Sequence, residues 1–180
     1  NGPSVLDDIK YNYQLDNNHK LNNRLLYVDN NISVPLSVPD QAANNYDYDN
    51  IGNLRKDVEG QIDDIEWTPT GKVQKVVRSG GQLPDLYFSY DAMGNRIAKM
   101  EKPYNAVGAE DYIITLYSRD AQGNIMAIYD VQLDASGTAV DATLTDLEIY
   151  GSSRIGSIDA TSEPSDRQVR SAKRFELTNH

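Results

Sequence analysis

One short pattern recurs along this chain and constrains its fold: an aromatic residue, an aspartate, two variable residues, a glycine and an asparagine. The aspartate accepts hydrogen bonds from backbone N–H groups further along the chain and opens a type I turn. The glycine three residues later adopts a positive φ angle without a Cβ clash, which forms a bulge and restarts the strand. Each copy therefore predicts a β-hairpin loop, and the predicted turn residues are Asp49, Gly52, Gly71, Asp91, Gly94, Asp120 and Gly123.

Some copies depart from this pattern. Thr68 replaces the aspartate before Gly71, and Arg119 stands directly before Asp120, where Tyr117 lies one residue further back. Weaker copies are read over residues 13–21 and 133–138. The glycines at positions 52, 71, 94 and 123 are 19, 23 and 29 residues apart. Such uneven spacing favours a meander of hairpins with strands of varied length over a solenoid of identical rungs.

The segments between the turns are predicted to be strands, because none of them shows a sustained helical periodicity with capping residues at its ends. Glu59-Gly60 is predicted to form a tight two-residue turn. The predicted fold class is all-β, a twisted antiparallel sheet of consecutive hairpins. Three regions are expected: degenerate repeats over 1–45, the repeat sheet over 46–159, and a loop with a final strand over 160–180. The predicted strands span residues 24–28, 45–50, 53–58, 61–67, 72–79, 85–91, 96–101, 112–119, 124–132, 144–151 and 174–178.

Composition narrows the classes of function. The 180 residues carry a formal net charge of −10, which gives nucleic acid and anionic membranes low priority as partners. The sequence contains no cysteine, so disulfides, zinc-thiolate sites and cysteine catalysis are excluded. No apolar run approaches the ~20 residues that a membrane-spanning helix requires. The sequence contains twelve tyrosines and two phenylalanines. Tyrosine suits a half-buried strand surface, because its ring packs while its hydroxyl group stays in contact with water.

Several carboxylates are candidates for catalytic or metal-binding groups. Asp49, Asp91 and Asp120 are better explained as turn caps, because each has a glycine three residues later. The run from Asp47 to Gly52 lacks the ligands of a calcium loop. The group Asp63, Asp64 and Glu66 could mimic a paired-carboxylate glycosidase, but an exposed acidic strand explains it better. No catalytic residue, cofactor site or metal site is therefore predicted.

Aromatic residues offer one sharper hypothesis, which is that Tyr48, Trp67, Tyr90 and Tyr117 stack against sugar rings. Packing in ladders between neighbouring hairpins is the favoured alternative, because tyrosine recurs at the same point of the turn motif. Other isolated features are weaker: two histidines, a Gly80-Gly81 pair without a phosphate-binding lysine, and an Asn31-Ile32-Ser33 glycosylation acceptor. The C-terminal part of the chain is locally basic and is predicted to be a solvated linker, although it could contact an acidic partner. The basic residues are Arg154, Arg167, Arg170, Lys173 and Arg174.

The Tyr-Asp pairs Tyr46-Asp47, Tyr48-Asp49 and Tyr90-Asp91 give the chain a resemblance to the Rhs/YD-repeat family. Two later stretches, residues 120–129 and 149–156, resemble segments that lead into the repeat-associated core of such proteins in the Bacteroidetes. Residues 173–180 resemble the run before a further turn of that core. The resemblance covers roughly residues 46–180.

This resemblance implies a structural role, as part of a spiralling β-shell that encloses or presents a C-terminal domain, often a toxin. It implies a secreted or cell-surface location and, as partners, flanking repeats and the enclosed domain. Carbohydrate binding or adhesion is the alternative that the family suggests. An aspartyl self-cleavage site occurs in some family cores, beyond the point that corresponds to the end of this chain. Open sheet edges lead us to expect self-association of the isolated segment.

Overall fold

The computed structural model describes residues 8–17, 19–31, 40–161 and 174–175. Its regular structure is antiparallel β-sheet, with one short 3-10 helix among the described residues. Consecutive strands pair as hairpins, so the prediction of an all-β fold built from successive hairpins is confirmed. The chain divides into two compact units, Asn1–Gln82 and Leu83–His180.

The first unit contains a separate two-stranded hairpin followed by a run of shorter strands. The hairpin is formed by β1 and β2, with Asp16 paired to His19 across the connection. A fully buried polar side chain, Asn45, joins the start of the second run to the connection that follows Asp57. Its amide donates to Asp57 Oδ1, and its Oδ1 accepts the N–H of Glu59. The strands are β1 (Ile9–Asp16), β2 (His19–Asn30), β3 (Tyr46–Tyr48), β4 (Leu54–Asp57), β5 (Ile62–Trp67) and β6 (Val73–Arg78).

The connection between β4 and β5 differs from its prediction. The turn was placed at Glu59-Gly60 with two residues, but Asp57 pairs with Ile62 and four residues lie between them. The residue with a positive φ angle is Gln61, at 53°, while its N–H donates to the carbonyl of Val58 at 3.0 Å. The two-residue prediction was wrong because the glycine suggested where the chain reverses, whereas glutamine occupies the left-handed position.

The second unit is a meander in which each strand pairs with the next. The helix η1 lies in the connection between β8 and β9. β13 lies beside β12 through two residue pairs, Gly156 with Phe175 and Ser157 with Arg174. The elements are β7 (Asp85–Tyr90), β8 (Arg96–Lys102), η1 (Ala109–Asp111), β9 (Ile113–Arg119), β10 (Ile125–Leu133), β11 (Ala139–Tyr150), β12 (Arg154–Asp159) and β13 (Arg174–Phe175).

The start of β2, residues 19–23, and three further strand segments escaped prediction. The first is β1, although Ile9, Tyr11, Tyr13 and Leu15 alternate with polar residues as a strand requires. The second is the beginning of β11, where the exposed residues 139–143 carry little apolar signal. The third is β12, whose Gly156 weakens its β propensity. All three are completed by pairing with a neighbouring strand, which local sequence patterns do not reveal.

Candidate functional site

The turn at Asp91 shows the geometry that the recurring motif produces. The N–H of Asp91 donates to the carbonyl of Asn95 at 2.9 Å, and the N–H of Gly94 donates to the carbonyl of Asp91 at 3.0 Å. Asp91 Oδ1 accepts the N–H groups of Met93 and Asn95, while Oδ2 accepts the side-chain amide of Asn95 at 3.0 Å. Gly94 has a φ angle of 83°. Both carboxylate oxygens are therefore engaged within the turn.

Other copies repeat this arrangement with small changes. Asp49 and Asp120 accept the same three hydrogen bonds, and the glycines at positions 52 and 123 have φ angles of 99° and 91°. At Asp134 the side-chain hydroxyl of Ser136 replaces the asparagine amide as a donor. Thr68 uses its hydroxyl to accept the N–H of Lys72 at 3.0 Å. A hydroxyl thus caps the loop where the carboxylate is missing.

Hydrogen bonding shifts the ionisation of these carboxylates in one direction. The side-chain amide of Asn95 lowers the pKa of Asp91 below its ordinary value, and the side-chain amide of Asn124 does the same to the pKa of Asp120. The hydroxyl of Ser136 lowers the pKa of Asp134. At Asp49 desolvation raises the pKa, but the hydrogen bonds from Asn53, Ile51 and Gly52 together outweigh it and the net shift is downward. Depressed values mean that the turns hold the charged form.

We expect the protein to lose stability in acid through these turns. A carboxyl whose folded pKa lies below its unfolded value adds stability above the unfolded value, and this contribution disappears as the pH falls through the folded value. The urea midpoint should therefore fall as the pH is lowered below about 4. Asp91→Asn should flatten part of this dependence because it keeps an acceptor oxygen and cannot ionise. An unchanged pH profile in Asp91→Asn would contradict the assignment.

In three places a side chain at the end of a strand ties one hairpin to the hairpin before it, and we call these contacts strand-end bonds. Trp67 Nε1 donates to the carbonyl of Leu54 at 2.8 Å, which links the end of β5 to the start of β4. Arg119 Nε donates to the carbonyl of Arg96 at 2.9 Å, which links β9 to β8. The Tyr150 hydroxyl donates to the carbonyl of Ile125 at 2.9 Å, which links β11 to β10.

These three bonds occupy equivalent positions. Each donor is the last residue of a strand that enters a turn, and each acceptor is the first residue of the strand that leaves the preceding turn at the same end. The backbone ladder has already ended there: β4 and β5 share one residue pair, Asp57 with Ile62, at their opposite ends. At these three turns the position before the turn holds a long side chain with a hydrogen-bond donor, which tryptophan, arginine and tyrosine provide.

Two residues of this set, Arg119 and Tyr150, were not among the predicted site residues. Arg119 departs from the sequence motif, yet its Nη1 also donates to the carbonyl of Gly123 at 2.6 Å. The signal that could have found them is the shared position before a turn together with a donor-bearing side chain. Sequence reasoning looked for an aromatic ring at this position, whereas the structure uses the donor.

The four aromatic residues predicted as sugar-stacking candidates lie on separate strands. Tyr48 is half-buried, with the Arg24 guanidinium 6.0 Å from its ring centre, and burial raises the pKa of its hydroxyl. Trp67 is half-buried and holds its strand-end bond. Tyr90 and Tyr117 are half-buried strand residues of the second unit. Within the first unit, an open depression of about 510 Å³ lies beside Trp67, with Arg55, Asp64 and Gln74 in its lining.

The acidic strand carries ion pairs. Asp64 lies 2.6 Å from Arg55, Glu66 lies 2.9 Å from Lys75, and Asp63 lies 4.0 Å from Lys56. These are neighbours on adjacent strands, an arrangement that neutralises the surface of the sheet. Exposed pairs of this kind contribute little to stability, about 0–1 kcal/mol each.

The structure also locates several other residues that the sequence analysis singles out. His19 is an exposed residue at the start of β2, and Gly80 and Gly81 have φ angles of 80° and 64° in a loop. Arg154 lies 2.5 Å from Glu148. Asn31 donates its side-chain amide to Asp8 at 3.1 Å. Residues 32, 33, 167, 170, 173 and 180 lie outside the described part of the chain, as do the side-chain details of Arg174.

Within the described residues, no cluster of three or more histidine, cysteine or acidic side chains is arranged to hold a metal ion. The helical content of the same residues includes nothing long and apolar enough to cross a lipid bilayer. Comparison with known proteins adds no identification, since no family model and no curated protein sequence matches the chain.

Proposed function

We propose that this chain is a structural segment of a secreted or cell-surface Rhs/YD-repeat protein. In that protein it would form part of a β-shell that encloses or presents a C-terminal domain. The supporting observation is the strand-end bond: each of the three ties one hairpin to the preceding hairpin at an equivalent position. A rule that acts between successive hairpins can be repeated indefinitely, which is what a wall built from one long polypeptide needs.

The state of the carboxylates agrees with a structural role. Asp49, Asp91, Asp120 and Asp134 use their oxygens to accept hydrogen bonds from their own turns. Their lowered pKa values keep them ionised, whereas a general acid near neutral pH needs a raised value. The chemistry of the whole protein would then reside in the domain that the shell presents.

The test is limited proteolysis of the longer polypeptide that contains this segment. We expect its C-terminal domain to resist protease while the hairpins are intact, and to become cleavable when Trp67→Ala and Gly123→Ala are introduced together. Ile113→Lys, an exposed substitution on β9, is the matched control and should leave protection unchanged. Equal cleavage of the C-terminal domain in all three proteins would contradict enclosure.

A second candidate function is carbohydrate binding, which the depression beside Trp67 supports. An indole ring next to amide and charged groups, here Gln74, Arg55 and Asp64, is a combination that suits a sugar. Gln74 is exposed and its side chain has no role in the turns, so Gln74→Ala should abolish glycan-array binding without changing the circular dichroism spectrum. If Gln74→Ala retains glycan binding, or if the parent protein does not bind glycans, this depression is not a carbohydrate-binding site.

A further inference from the structure

The six-stranded part of the second unit has one apolar face. Strand pairing aligns Tyr87 with Met100, Met100 with Ile114, and Ile114 with Val131 across four strands. Because residues two apart share a face, the next row is also on this side. It runs Ala98, Leu116, Tyr129 and Leu144, and a further row runs Ala127, Leu147 and Ile158. We call these three rows, from Tyr87 to Ile158, the apolar face.

The opposite face has a different character. Lys99 pairs with Thr115, Thr115 with Asp130, and Asp130 with Thr143. Ile128 on the same side pairs with Asp146, and Asp146 pairs with Asp159. This face also carries apolar residues, since Phe88 pairs with Lys99 and Tyr117 pairs with Ile128. It therefore mixes charged with apolar side chains, whereas the three rows of the apolar face carry no charge.

No second layer covers the apolar face within residues 83–161. Leu116 and Leu147 at its centre are 39% and 41% exposed. Apart from η1, which contacts β10, the described elements of this unit contact their neighbours in the sheet. A Cβ atom built on Gly137 would lie 3.8 Å from the Cβ of Ala109. The helix η1 therefore lies near the β10–β11 turn and away from Leu116.

We infer that the apolar face of the second unit is an interface for a second copy of this chain, packed face to face as in a β-sandwich. The three rows contain no charged side chain, so two copies can meet there although each chain carries a net charge of −10. Asp130, Asp146 and Asp159 lie on the opposite face. Asp85 and Lys102, of opposite charge, pair with each other beside the first row. An oppositely charged partner would find nothing on these rows to recognise, whereas an identical apolar face fits without charge pairing.

The area is sufficient for association. Strands spaced about 4.8 Å apart and rows about 7 Å apart give the apolar face roughly 500 Å² per copy. Two copies would bury about 1,000 Å², which is near the lower limit for a specific interface. A patch of this size is comparable to the largest that typical monomeric proteins expose, and such patches are often functional. This inference goes beyond the proposed function, because it concerns the face of the sheet and not its edges or the enclosed domain.

Sedimentation equilibrium of the 180-residue chain tests it with a matched pair of substitutions. Leu116→Lys places a charge in the apolar face, and Ile113→Lys places the same charge on the same strand but on the opposite face, where Ile113 is 50% exposed. We expect the parent chain and Ile113→Lys to form dimers as concentration rises, while Leu116→Lys weakens dimerisation at least tenfold. Circular dichroism and urea unfolding establish that each variant is folded.

Three results would overturn the inference. They are a parent chain that stays monomeric at millimolar concentration, a Leu116→Lys variant that dimerises like the parent, and equal weakening by both substitutions. Association through open sheet edges would produce the second of these results. If Leu116→Lys does not fold, Ser118→Lys puts the same charge on the exposed continuation of that face without removing an apolar side chain, and the same outcomes apply.

Discussion

Replacing Trp67 with alanine is expected to lower the free energy of unfolding by about 2 kcal/mol. Fully buried tryptophan residues cost about 3–5 kcal/mol when truncated, and Trp67 is half-buried. The loss has two parts, the packing of the indole ring and the hydrogen bond from Nε1 to the carbonyl of Leu54. The effect should be large because β4 and β5 share only one residue pair, at the opposite end of β4. Urea unfolding followed by circular dichroism measures it.

The two parts can be separated with Trp67→Phe, which keeps an aromatic ring and removes the donor. We expect this variant to lose about 1 kcal/mol, the usual net contribution of one hydrogen bond. Backbone hydrogen exchange should also accelerate in β4 more than in β6, because β4 depends on the strand-end bond. A Trp67→Phe variant as stable as the parent would show that packing alone matters at this position, and the strand-end bond would lose its assigned role.

Replacing Gly123 with alanine is expected to cost about 2 kcal/mol. A left-handed backbone position penalises a Cβ by about 1–2 kcal/mol, and Gly123 has a φ angle of 91°. The added methyl group would also meet the Asn95 side chain at 3.1 Å, so the neighbouring turn must shift. The same urea experiment measures the change in free energy.

Gly52→Ala is the matched control for this steric contribution. Gly52 has a φ angle of 99°, and a Cβ built on it meets no atom within 4 Å. Gly52→Ala should therefore show the backbone penalty alone, about 1 kcal/mol. Equal losses of stability in the two variants would mean that the contact with Asn95 adds no steric cost at position 123. Two neutral substitutions would contradict the left-handed assignment at both glycines.

The sequence was sufficient to predict the turns that carry the aspartate–glycine motif, because their geometry is encoded within five residues. An aspartate, a glycine three residues on and an asparagine after it determine a local hydrogen-bond set, as at Asp91. Thr68 shows that a hydroxyl can replace the carboxylate. Where the signal was weaker, as at Gln61, the residue in the left-handed position was not the glycine that the pattern suggested.

Contacts between hairpins were harder to predict. Arg119 reaches Arg96, 23 residues earlier, and Tyr150 reaches Ile125, 25 residues earlier. Nothing local in the sequence determines these distances, since they depend on which strand ends lie side by side. The same limit explains why β12 was missed, because Gly156 pairs well in the sheet although its residue type disfavours a strand. The apolar face also emerged only when strand pairing aligned Met100 with Ile114.

The most direct test of the account is a carboxyl carbon NMR titration of the aspartates, since it asks whether these side chains serve the turns. We predict that Asp49, Asp91, Asp120 and Asp134 all titrate below the ordinary aspartate value of 3.8. Their curves should be unchanged when calcium or a glycan mixture is added. Titration at or above the ordinary value, or a shift of these signals on adding calcium, would contradict the claim that these carboxylates stabilise the turns.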